Sequence, residues 1–83
     1  HIIAHGRVQG VGLRFTVTGF AKKYNVTGWV RNLYDGTVEM EVQGDENSIQ
    51  QMLVQIQKQR WIEVNHMEIM EIPCVEERGF RIR

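Results

Sequence analysis

One cysteine, one proline and no surplus of either charge set the first limits on this 83-residue chain. Cys74 has no second cysteine to pair with, so an intrachain disulfide framework is excluded, and neither a paired-Cys nor a Cys/His zinc spacing occurs. No metal and no cofactor are implied. A lone thiol fits a reducing compartment, and the expected location is cytoplasmic. Ten Lys and Arg stand against ten Asp and Glu, a balance that argues against binding to nucleic acid or to an anionic membrane. No apolar run approaches the roughly 18 residues of a spanning helix, and no basic region followed by an apolar block opens the chain. Any anion site must therefore be local. The length suits one domain, residues 1–83, burying roughly 60–65% of the surface its unfolded form exposes. It enters strand-like sequence at His1, so a few leading residues are expected to precede it.

What the chain does have is periodicity. Ile2, Ile3, Ala4 and Val8 form a short apolar stretch that reads as a central strand. Leu13, Val17, Phe20 or Ala21, and Tyr24 recur at steps of three and four, which predicts a helix over residues 13–24. Gly19 inside it costs about 1 kcal/mol against Ala, unless another backbone packs close there. Residues 26–32 and 37–42 are strand-like, and Asp35-Gly36 between them signals a hairpin. Ile49, Met52, Leu53 and Ile56 lay an apolar stripe on a second helix over residues 45–58, with Met52 in the core. Residues 61–72 alternate with one break in phase, which predicts a strand carrying a bulge, ended by Pro73. Residues 79–83 read as a short final edge strand. The order β-α-β-β-α-β with an added terminal strand predicts an α+β, ferredoxin-like split β-α-β fold: two helices on one face of an antiparallel sheet.

Between the first strand and the first helix lies Gly6-Arg7-Val8-Gln9-Gly10-Val11-Gly12-Leu13-Arg14. Glycines let consecutive backbone N–H groups turn toward one point. The helix that follows adds unpaired first-turn donors and the positive end of its dipole, and Arg14 adds a permanent charge. A phosphate-like group suits such a cradle. The spacing alone leaves a plain strand-to-helix turn equally open, and it matches neither the Gly-x-x-x-x-Gly-Lys-Ser/Thr loop nor the Gly-x-Gly-x-x-Gly fingerprint.

Read together with Gly28-Trp29-Val30-Arg31-Asn32, Asp35-Gly36 and Val38-Glu39, the loop closely resembles the acylphosphatases, small enzymes that hydrolyse carboxyl-phosphate anhydrides. The likeness runs from Ile3 to the closing Gly79-Phe80-Arg81-Ile82. It implies a small acyl phosphate as substrate and a phosphate or sulfate ion as a natural occupant of the loop. The implied phosphate-binding residues are Gln9, Gly10, Val11, Gly12, Leu13 and Arg14, with Arg14 gripping the phosphoryl group and Asn32 orienting the attacking water. Elementary chemistry agrees. Charge-assisted hydrogen bonds are worth ~1.5–3 kcal/mol each, a guanidinium can hold two phosphate oxygens through its fork, and an amide side chain both donates to and accepts from a water. Leu13 stands where the family usually carries an aromatic or Met, and the segment Gln59-Arg60-Trp61-Ile62 lacks the Gly/Pro-rich turn expected after the second helix.

Other residues invite duller readings. Arg7 and Arg31 read as surface charges flanking strands, Trp29 as a core aromatic, His5 as packed or solvated, and Cys74 as inert, having no neighbouring His to activate it. Two rival functions share the element order. RNA-recognition domains stack bases on exposed sheet aromatics, but here aromatics make up only 8% of the chain and the aromatic-rich strand motif is missing. An acylphosphatase-like domain of a hydrogenase-maturation protein is the other, and the zinc-finger cysteines that follow it there do not occur in this chain. A monomer binding neither nucleic acid nor membrane is expected.

Overall fold

The apolar patterns resolve into seven elements: β1 (Ile2–Arg7), α1 (Leu13–Lys23), β2 (Thr27–Asn32), β3 (Val38–Gln43), α2 (Glu46–Gln57), β4 (Glu63–Ile69) and β5 (Phe80–Ile82). The computed structural model describes residues 1–76 and 78–83. The strands form one sheet in the order β4-β1-β3-β2-β5, placing β1 inside it and the two last strands at opposite edges. All pairings are antiparallel except that of β5, which runs parallel to β2 through Gly28↔Phe80 and Val30↔Ile82. The sheet is therefore mixed, because the chain crosses from one edge to the other before the last strand begins. Gln43 ties that crossing to the sheet, its side-chain amide donating to the Val75 carbonyl and accepting from the Val75 N–H.

Alternate residues of the strands meet the helices on one face. Ile2 and Ala4 of β1, Val30 of β2, and Val38 and Met40 of β3 join Leu13, Val17 and Ala21 of α1 and Met52 and Ile56 of α2 in a single buried cluster. Steps of four along α1 keep its contributors on one side, as 3.6 residues per turn requires. The two helices start differently. Asp45 caps α2 by accepting from the Ser48 N–H at 3.3 Å, whereas α1 begins at Gly12 with no side-chain cap. Gly19 has no atom within 4 Å of a would-be Cβ, so no close backbone approach offsets its helix penalty.

The phase break in β4 is a bulge. His5 pairs with His66 but Gly6 pairs with Val64, so Asn65 is left without a partner and Val64 and Met67 reach the same face despite their three-residue separation. Gly6 makes the irregularity possible. Its φ is +131°, and a Cβ there would stand 2.2 Å from the Glu63 carbonyl oxygen. This glycine therefore serves strand pairing rather than the loop after β1. After α2, Gln59 N–H donates to Ile56 and Ile62 N–H to Gln59, closing the turn without glycine or proline, while Ile62 buries itself as an anchor. Trp29 is 6% exposed yet stands outside the main cluster, covered by the guanidinium groups of Arg83 and Arg31 at 4.5 and 5.3 Å from its ring.

Candidate active site

The loop joining β1 to α1 is pinned below by Val8 and Leu13, each almost wholly buried. Leu13 packs fully in the core where the family pattern has a larger side chain. Gly10 and Gly12 adopt φ of +74° and +78°, left-handed conformations that other residues enter only at a cost. Reversing the backbone twice in three residues turns successive N–H groups outward. Among the described residues, no backbone N–H from Gln9 to Phe15 donates to a protein acceptor; the first bond of the helix is Thr16 N–H to the Gly12 carbonyl at 3.0 Å. Lacking a side-chain cap, the helix leaves its first-turn donors free for a ligand.

Asn32 arrives from the last position of β2, paired with Val38 across the hairpin. The hairpin turn is rigidly tied. Leu33 N–H donates to Thr37 at 2.9 Å and Gly36 N–H to Leu33 at 3.2 Å. Asp35 accepts from the Thr37 hydroxyl at 2.6 Å and from the Thr37 N–H at 3.0 Å. These two bonds, the hydroxyl's first, hold the Asp35 carboxyl below its ordinary pKa.

Gln9 locks the loop to the hairpin. Its side-chain amide donates to the Leu33 carbonyl at 2.5 Å and to the Thr37 carbonyl at 2.8 Å, on either side of the turn that follows Asn32. The family resemblance marked Gln9 as part of the phosphate-binding loop; the side-chain bridge depends on through-space placement that no local pattern reports.

Loop, helix start and hairpin enclose a cavity of about 140 Å³ lined by Val8, Gly10, Gly12, Leu13, Arg14, Phe15 and Asn32. Arg14 and Asn32, distant in sequence, thus share one small space. Val11 points elsewhere, packing against the core, and Gln9 turns to the hairpin. Phe15 was not foreseen. The available signal was its place two residues beyond Leu13, off the stripe of Leu13, Val17 and Ala21, where an aromatic has no core to enter.

The remaining sequence candidates lie apart. His5 reaches Glu68 at 2.5 Å and stacks obliquely near His66. Arg31 pairs with Glu39 at 2.6 Å, which also holds His1 at 2.7 Å. Hydrogen bonding from His1, then Arg31, keeps the Glu39 carboxyl below its ordinary pKa. Cys74 is exposed and unpaired. A larger cavity of about 690 Å³ opens between α2, the far end of the sheet and residues 70–75, but its lining contains Glu41, Glu46 and Glu71 and neither Lys nor Arg among the described residues. An anion finds its cation in the smaller one.

The acylphosphatase family model matches residues 1–82. An acylphosphatase of Bifidobacterium longum is 41% identical over 86 residues, covering 100% of this chain and 89% of its own. One from Geobacillus thermodenitrificans is 45% identical over 84 residues, covering 99% and 89%. The crystal structure of acylphosphatase from Bacillus subtilis superposes with a TM-score of 0.90 at 36% identity, over 99% of this chain and 93% of that one. HypF of T. kodakarensis superposes with a TM-score of 0.87 at 32% identity, over 100% of this chain but 11% of its own.

Proposed function

The chain belongs to the acylphosphatase family, and from that premise we propose how its residues hydrolyse the carboxyl-phosphate bond of small acyl phosphates to a carboxylate and inorganic phosphate. The observation that carries the reading is the common cavity of Arg14, Asn32 and the two left-handed glycines. The phosphoryl group enters with its oxygens toward the uncommitted N–H groups of residues 9–14, and Arg14 binds two of them. As the bond to the leaving carboxylate loosens, charge spreads over the equatorial oxygens and these prearranged donors tighten on it.

Asn32 holds a water opposite the leaving oxygen, donating from its amide nitrogen or accepting at its carbonyl. An amide takes up no proton near neutral pH, so the proton passes to the phosphoryl oxygens of the substrate, which become more basic as the bond to the carboxylate breaks and inorganic phosphate forms. The carboxylate departs without a general acid because it is stable as an anion. That requirement fits a cavity whose lining, among the described residues, contains one cation, one amide and no carboxylate or imidazole. A cavity of this small size, built by loop, helix and hairpin, supports a small molecule as the substrate. The lone Cys74 supports action in the cytoplasm.

Benzoyl phosphate hydrolysis by purified protein tests the reading. Losing two charge-assisted bonds of ~1.5–3 kcal/mol each predicts that Arg14→Ala lowers kcat/KM by about two to four powers of ten and weakens inhibition by inorganic phosphate. Asn32→Ala should lower kcat while phosphate still inhibits. Hydrolysis at the uncatalysed rate by the wild type, or full activity of Arg14→Ala, would overturn it.

A further inference from the structure

We infer that Phe15 is the acyl-side subsite of this cavity, the wall against which an apolar or aromatic acyl group rests while its phosphate occupies the loop. The inference rests on the reading of the Arg14 cavity given above. At 100° per residue, Phe15 lies about 200° around α1 from Leu13 and so faces away from the core. Its side chain is 73% exposed. Single exposed aromatics are common on protein surfaces, so exposure alone means little. The second observation is position: Phe15 is among the residues lining the same cavity as Arg14 and Asn32, whereas Tyr34 and Trp61, also exposed, are not.

Position assigns the division of space. The loop glycines and Arg14 take the phosphoryl group, so the acyl group lies toward the mouth of the cavity, beside Phe15. Gly10 and Gly12 present no side chains there, and Val8 and Leu13 are buried beneath, so Phe15 is the exposed apolar surface it meets. Ring contact rewards an aryl or alkyl substituent and offers little to acetyl or carbamoyl, which are small and cover little of the ring.

The experiment measures kcat and KM for benzoyl phosphate and acetyl phosphate with wild type, Phe15→Ala, Phe15→Tyr and Tyr34→Ala. Phe15→Ala is expected to lower the ratio of kcat/KM for benzoyl over acetyl phosphate about two- to tenfold, the range an aromatic contact contributes, with KM for benzoyl phosphate carrying the change. Phe15→Tyr keeps the ring and should keep the ratio, as should Tyr34→Ala. An unmoved ratio in Phe15→Ala, or an equal fall in Tyr34→Ala, overturns the subsite while leaving the Arg14 chemistry intact. Absence of hydrolysis of either substrate by the wild type would remove the site itself. Because Phe15 is exposed, Phe15→Ala should melt close to wild type, and the Tyr variant provides the same comparison with the ring's bulk retained.

Discussion

Replacing Gln9 by Ala separates a bridge that orients the reaction from one that merely holds the fold together. The side chain donates two hydrogen bonds across the gap between loop and hairpin, to the carbonyls of Leu33 and Thr37. Neither carbonyl is orphaned by the change, since Leu33 still accepts from Gly36 and Thr37 from Leu33. The loss is then the net value of the bonds, about 0.5–1.5 kcal/mol each, without the larger penalty of a buried unpaired acceptor. Because the bridge is partly solvated, the lower half of that sum applies, about 1–2 kcal/mol. For a domain of this size that lowers Tm by roughly 4–15 °C. The catalytic effect should exceed what stability explains. Asn32 is held on the hairpin and Arg14 on the loop side, so slackening the tie lets the water drift from the line of attack, and a displacement near 1 Å can cost about a hundredfold. Expected for Gln9→Ala is a tenfold or greater fall in kcat for benzoyl phosphate, measured well below the new Tm, with inhibition by inorganic phosphate almost unchanged because Arg14 and the loop amides remain. A variant that melts earlier but keeps the wild-type kcat would refute the positioning role and leave Gln9 a structural tie only.

Glycine substitutions test the fold in opposite directions. Gly6→Ala should destabilise by at least about 2 kcal/mol in urea titration, because its Cβ meets a carbonyl oxygen at 2.2 Å and its φ is +131°. Gly19→Ala should instead stabilise by about 0.5–1 kcal/mol, since it adds a helix former in open space; a loss of stability there would show a contact the fold lacks. Glu39 predicts an acid dependence. Its folded-state pKa lies below the ordinary 4.5, so the stability it adds is fully present above that pH and is lost as pH falls through the lowered value. Glu39→Gln should therefore flatten the loss of unfolding free energy, measured in urea, below about pH 4.5, by less than about 1 kcal/mol because Arg31 and His1 are partly exposed; an unchanged acid limb would discount the pair.

The order of elements was legible in the chain because each rests on a local period. Leu13, Val17 and Ala21 repeat as a helix repeats, and the phase break in residues 61–72 is the bulge opposite Gly6. The glycine loop, too, could be read as a place where backbone donors turn outward, since Gly10 and Gly12 carry that capacity in their own stereochemistry. Sequence by itself thus determined the helices, the strands, the anion-suited loop and the family. Only the tertiary structure decided that β5 runs parallel to β2, that the Arg83 guanidinium lies over the Trp29 ring, that Gln9 spans to the hairpin, and that Phe15 lines the cavity shared by Arg14 and Asn32. The reason is physical. Periodicity and dihedral preference act between near neighbours along the chain, whereas strand direction, side-chain bridges and cavity walls depend on which distant segments the buried core brings face to face.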